Sequence, residues 1–101
     1  MKLLIITAID GFKKEIKETL KKSGVTAFSY QKITGYKNMS ITSLESNWFA
    51  SDAGENQSLM FYAFTPEEYV DQVFESIESF NASLKTTSKI HVALVNIDRI
   101  N

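Results

Sequence analysis

The chain has 101 residues, 44% hydrophobic and 23% charged, the make-up of one globular domain with a single two-layer core. Its formal net charge of −1 leaves no basic field for a phosphate backbone, which argues against nucleic acid as a partner. With no cysteine there can be no disulfide framework, no thiolate zinc site and no cysteine nucleophile.

The apolar run 3–9 follows Met1-Lys2 directly. It is short for a signal-peptide core, and Asp10-Gly11 follows without a small-residue cleavage pattern, so a first strand is expected. No stretch has the length of a membrane span. The expectation is a cytoplasmic protein without direct membrane insertion, and the sequons at Asn38, Asn56 and Asn81 then carry little weight. Asp10 stands where a helix N-cap is expected. Phe12, Ile16 and Leu20 recur at i, i+4 and i+8 between lysines and glutamates, the mark of an amphipathic helix. Lys21-Lys22 place positive charge in its last turn, and Gly24 supplies the stop.

Residues 25–36 read as a second strand, with Phe28 and Tyr30 on one face. The segment 37–56 has neither a strand nor a helix period, yet it carries the only tryptophan, Trp48, beside Phe49. Structureless loops longer than about 12–15 residues are uncommon in compact domains and often functional, while disordered linkers are poor in aromatics. Trp48 and Phe49 are therefore expected either to bind a partner or to fold the segment back over the apolar sheet or a neighbouring copy.

Residues 59–64 are a strongly apolar third strand. Thr65-Pro66-Glu67-Glu68 has the form of a helix start, with Thr65 as N-cap, Pro66 in the first turn and Glu68 closing a capping box. Val70, Val73, Phe74, Ile77 and Phe80 give the buried stripe of that second helix, and 90–95 is a fourth strand. The predicted class is α+β with the order β-α-β-β-α-β. That is the ferredoxin-like arrangement of an antiparallel four-stranded sheet with both helices on one face. Strands one, three and four are apolar at successive positions instead of alternating. Two helices cover one face only, so the open face needs either its own long loop or other copies of the chain, and association is the stronger expectation.

Among proteins of this topology, base-stacking RNA binders need aromatics on the first strand, which has none. An acylphosphatase needs a glycine-rich turn with an arginine after strand one, where this chain has Asp10-Gly11-Phe12-Lys13. The opening Met1-Lys2-Leu3-Leu4, then Phe12-Lys13, Ile16-Lys17, Leu20, Gly24-Val25 and Gly35-Tyr36, resemble the first half of the PII signal-transduction family. The apolar third strand, the Pro-acidic helix start and the polar loop into Lys89-Ile90 follow in the family's order, so the resemblance covers nearly the whole chain. It implies a single PII-like domain over 1–101, a homotrimer, and a T-loop at 37–56 that acts on a target protein. It further implies a non-enzymatic regulator that senses a small effector. Compact divergent relatives of this kind are often associated with membrane transporters, including heavy-metal efflux pumps. The related CutA metal-tolerance family implies the alternative, capture of a divalent metal.

The departures from the family pattern are specific. Lys37-Asn38-Met39 replaces a Gly-Gln stretch that helps bind ATP, and Ser58 or Leu59 replaces a phosphate-binding lysine. Leu84-Lys85-Thr86-Thr87-Ser88-Lys89 replaces a glycine-rich phosphate loop, and Arg99 remains of an arginine pair. An effector or anion site would draw on Gly35, Lys37, Lys85, Thr86, Thr87, Ser88, Lys89 and Arg99. An adenine nucleotide is one conceivable ligand, although most of its binding motif is replaced. A metal site would draw on Glu45, Asp52, Glu55 and His91, but one histidine without close-spaced ligands is a weak signal. No nucleophile, base and orienting group occur at a suggestive spacing.

Overall fold

A computed structural model describes residues 1–37, 54–85 and 88–101, with 37 and 54–56 described as backbone. Four strands, β1 (Lys2–Ile9), β2 (Ser29–Lys37), β3 (Gly54–Thr65) and β4 (His91–Asn96), form one antiparallel sheet in the order β2-β3-β1-β4. Helix α1 (Lys13–Lys22) links β1 to β2, and α2 (Val70–Ser83) links β3 to β4. This is the ferredoxin-like arrangement that the order of elements predicts. Among the described residues, no helix is long and apolar enough to cross a membrane.

The core lies between the central strands and the helices. Pairing of Leu4 with Ala63, Ile6 with Phe61 and Ala8 with Leu59 aligns six buried side chains on one face. Ile16 and Leu20 of α1 and Val73 and Ile77 of α2 close over them, each at most 2% exposed. Phe12 and Phe80 meet edge to face at 5.4 Å and join the two helices. The helical stripes thus match the sequence period.

The other face carries Leu3, Ile5 and Ile9 of β1, paired with Phe64, Tyr62 and Ser58 of β3. Met60, Ala93 and Val95 share it by register. Phe64 is 58% exposed and Val95 40% exposed. The expected apolar open face is therefore present.

Strand boundaries differ from the sequence reading in an informative way. Positions 54–56, expected in an irregular segment, extend β3 by pairing with 35–37, and residues 38–53 lie outside the described residues. Strand β2 begins at Ser29 and not at 25, because Val25 belongs to the end of α1. There the Val25 N–H reaches the Leu20 carbonyl at 2.9 Å, and the Gly24 N–H reaches that of Lys21 at 3.2 Å. These two bonds make a Schellman closure, with Val25 and Leu20 supplying its buried apolar contact.

Neither expected N-cap forms. Asp10 sits inside a 3₁₀ turn (Asp10–Phe12) and makes no side-chain cap bond; α1 then starts at Lys13 after Phe12. Thr65 remains in β3, held there by pairing with Lys2, while Glu67–Tyr69 form a second 3₁₀ turn with no side-chain cap. Strand pairing has taken the residue that the local signal assigned to the helix.

Gly24 is the position where backbone freedom matters. Its φ is +94°, and an added Cβ would stand 3.1 Å from the Tyr69 ring. Gly24→Ala is expected to destabilise the fold by about 1–3 kcal/mol in a denaturant melt. A neutral result would show that the turn relaxes to another closure.

Candidate functional site

Three regions gather polar and charged groups, and the sequence points to two of them. The first is the junction from α2 into β4. Asn81, in the last turn of α2, uses its side-chain amide as a strand would. Its Nδ2 donates to the Ile90 carbonyl at 2.7 Å, and its Oδ1 accepts from the Ile90 N–H at 2.9 Å. Lys89 Nζ donates to the carbonyls of Asn81 at 3.0 Å and Leu84 at 3.2 Å. The last turn of α2 holds no basic residue, so Lys89 brings positive charge to the negative end of the helix from outside it. Two of its three donors are thereby engaged. Lys85 is exposed, Ser88 is half-buried and has interactions of its own, and Thr86 and Thr87 lie outside the described residues.

The second region is the far end of the β2–β3 hairpin. Gly35 is buried opposite Asn56, and Lys37 pairs with Gly54 through the backbone. Strands β2 and β4 are opposite edges of the sheet, three strand spacings or roughly 14 Å apart. One chain therefore does not bring Gly35 and Lys37 together with Lys85, Ser88 and Lys89. Arg99 is exposed in the segment after β4. Ser58, where the family pattern has its lysine, is 1% exposed, and its Oγ has no hydrogen-bond partner among the described residues.

The metal candidates do not form a described cluster. Trp48, Phe49, Glu45 and Asp52 lie outside the described residues. Glu55 pairs with Tyr36 near the hairpin end, whereas His91 stands opposite Thr7, which in turn faces Met60. Five residues of β3 separate positions 55 and 60, roughly 16 Å along the strand. His91 is half-buried and already engaged in contacts of its own. No group of three or more His, Asp or Glu suited to a metal occurs among the described residues.

The third region went unnoticed in the sequence. Phe61, fully buried, stacks on Tyr30 at 4.9 Å between ring centroids and touches Phe28 at 5.9 Å. Over Tyr30 stand the ammonium groups of Lys13 and Lys17, each 4.9 Å from the ring centroid. The spacing i, i+4 on α1 puts both lysines on one side of the helix, above β2. Hydrogen bonding from Lys17 and then Lys13 holds the Tyr30 phenol below its ordinary pKa of 10.0, because both ammonium groups favour the phenolate. The i, i+4 lysines were legible in the sequence; their meeting with a tyrosine thirteen residues beyond Lys17 was not.

Two measurements probe these arrangements. Asn81→Ala leaves the 3%-exposed Ile90 without both partners and is expected to cost about 2–3 kcal/mol in a denaturant melt. An unchanged midpoint would mean that the amide clamp contributes nothing. In a spectrophotometric titration, Tyr30→Phe should remove a phenolate transition lying below 10.0, and Lys13→Met with Lys17→Met should move it back upward. Since the folded phenol is the more acidic, its contribution to stability is complete above pH 10.0 and is lost as the pH falls through the lowered value.

No protein-family profile matches the sequence, and no curated protein does. Solved structures do. CPII, a nitrogen regulatory PII-like protein from Thiomonas intermedia K12 bound to ADP, AMP and bicarbonate, is similar at 19% identity and a TM-score of 0.63. That match covers 99% of this chain and 94% of CPII. CPII bound to ADP and bicarbonate is similar at 18% identity and a TM-score of 0.62, over 97% of this chain and 88% of the other. A DUF3240 family protein from Shewanella baltica OS155 gives 16% identity and a TM-score of 0.67, over 99% and 92%. At such identities the likeness is one of architecture, and it agrees with the order of strands and helices: this chain has the PII-like fold.

Proposed function

We propose that this protein is a non-enzymatic regulator of the PII type, a homotrimer that senses a small effector and acts on a partner through its long β2–β3 connection. The observation that carries the reading is the open sheet face. Leu3, Ile5, Met60, Tyr62, Phe64 and Val95 form an apolar surface that the helices of the same chain do not cover. Closed association of three copies buries it without leaving free interfaces. The fold likeness to PII-like proteins supports the same arrangement.

Assembly also gives the effector a place. The hairpin end with Gly35 and Lys37, and the α2–β4 junction with Lys85, Ser88 and Lys89, lie on opposite sheet edges of one chain. In a ring of copies, one edge of each sheet meets the other edge of its neighbour, and the two half-sites come together. CPII holds adenine nucleotides and bicarbonate. In this chain the glycine-rich phosphate loop is replaced by 84–89, and Lys89 is already bonded to two carbonyls, so ATP is expected to bind weakly or not at all.

The partner in this proposal is a membrane transporter such as a heavy-metal efflux pump, contacted by Trp48 and Phe49. The protein itself works from the cytoplasm. The reading as a CutA-like divalent-metal protein has no specific observation in its favour among the described residues.

Light scattering coupled to gel filtration is expected to give about three times the 11.4 kDa chain mass. Phe64→Asp, placing a charge on the open face, should shift the protein toward monomer. A wild-type monomer at all concentrations would remove the reading, since neither the open face nor the divided half-sites would then be explained.

A further inference from the structure

The outer face of α1 forms a shallow cavity of about 460 Å³, lined by Gly11, Lys13, Lys14, Lys17, Glu18 and Lys21. Four of its six lining residues are lysines, and Glu18 is its one carboxylate. None of the four lysines forms an ion pair with a described carboxylate. Two of them crowd a single tyrosine ring that is 38% exposed, although like charges at such spacing repel. Lysines outnumber carboxylates four to one along this lining, an excess that suits a surface receiving its counter-charge from outside.

The rest of the helical layer restricts what the partner can be. The segment from the second 3₁₀ turn through α2 exposes Glu67, Glu68, Asp71, Glu75 and Glu78. It contains no lysine or arginine over 67–83. α1 carries five lysines against two glutamates. A flat polyanion, such as a lipid surface or a nucleic-acid duplex, would lie across both helices and be repelled by the second. A narrow anionic chain can follow α1 alone.

We propose that the Lys13–Lys14–Lys17–Lys21 face of α1, with Tyr30 at its side, is a docking surface for an acidic peptide segment of a partner protein. It lies on the helical side of the sheet, apart from the open face, and does not rest on the regulatory reading above. Carboxylates of the segment would pair with the lysines, with Lys13 and Lys17 held ready by the ring below them. The lowered pKa of Tyr30 accords with positive potential at this place.

The test is fluorescence anisotropy of a labelled oligoglutamate peptide against the full chain at low and high salt. Vesicles with anionic phospholipid and a duplex DNA are measured in parallel. Binding of the peptide at low salt, weakened as salt screens exposed charges, is expected. Lys14→Glu with Lys21→Glu, both at exposed positions, should weaken it by about tenfold or more with an unchanged circular dichroism spectrum. Absence of peptide binding at low salt overturns the proposal, as does equal or tighter binding of vesicles or duplex. Full retention of binding by the folded double variant overturns it too. The wild-type comparison decides the matter by itself where the variant does not fold.

Discussion

The packing of Phe61 between the sheet and its aromatic neighbours is the interaction on which much of this molecule depends. The ring is fully buried at the middle of β3, paired through the backbone with Ile6 on one side and Tyr30 on the other. Burying such a ring contributes about 1.5–3 kcal/mol, and its stacking on Tyr30 ties the edge strand to the core. Tyr30 in turn lies beneath Lys13 and Lys17 of α1. One apolar contact therefore fixes an edge strand, orients a tyrosine and sets where a lysine face forms.

The same sheet has two unequal sides. Toward the helices, Leu4, Ile6, Ala8, Leu59, Phe61 and Ala63 are at most 3% exposed. Away from them the cover is uneven: Thr7 and Ser58 are buried at 2% and 1%, while Phe64 remains 58% exposed. In the proposed trimer the apolar side chains of that second face would be buried between copies. The division of polar groups between the outer edges β2 and β4 leads to the same inference from a different observation.

The helical layer is divided by charge as the sheet is divided by burial. α1 is basic and α2 with its preceding turn is acidic, and the near-neutral total of −1 hides this completely. Two opposite faces beside each other discriminate against broad charged surfaces and favour narrow ligands. A net charge of −1 is a whole-molecule quantity and says nothing of the local field over one helix.

By itself the sequence determined the order of elements, the buried stripes Phe12-Ile16-Leu20 and Val70-Val73-Ile77, the stop at Gly24 and the apolar open face. These are local properties, carried by periodicity and by one glycine whose φ other residues avoid. Tertiary structure decided the rest. Thr65 left its expected cap because its backbone pairs with Lys2, sixty-three residues earlier, and 54–56 became strand because 35–37 were there to pair. Asn81 was legible only as part of a sequon, and its grip on Ile90 needs the fold to bring the end of α2 to the start of β4. Lys89, a candidate anion-binding residue in the sequence, donates to the carbonyl end of a helix in the structure. Tyr30 beneath two lysines likewise arises only when a strand is laid under a helix. A hydrogen bond or a charge contact is satisfied by whichever group is nearest in space, and chain order alone does not say which group that is.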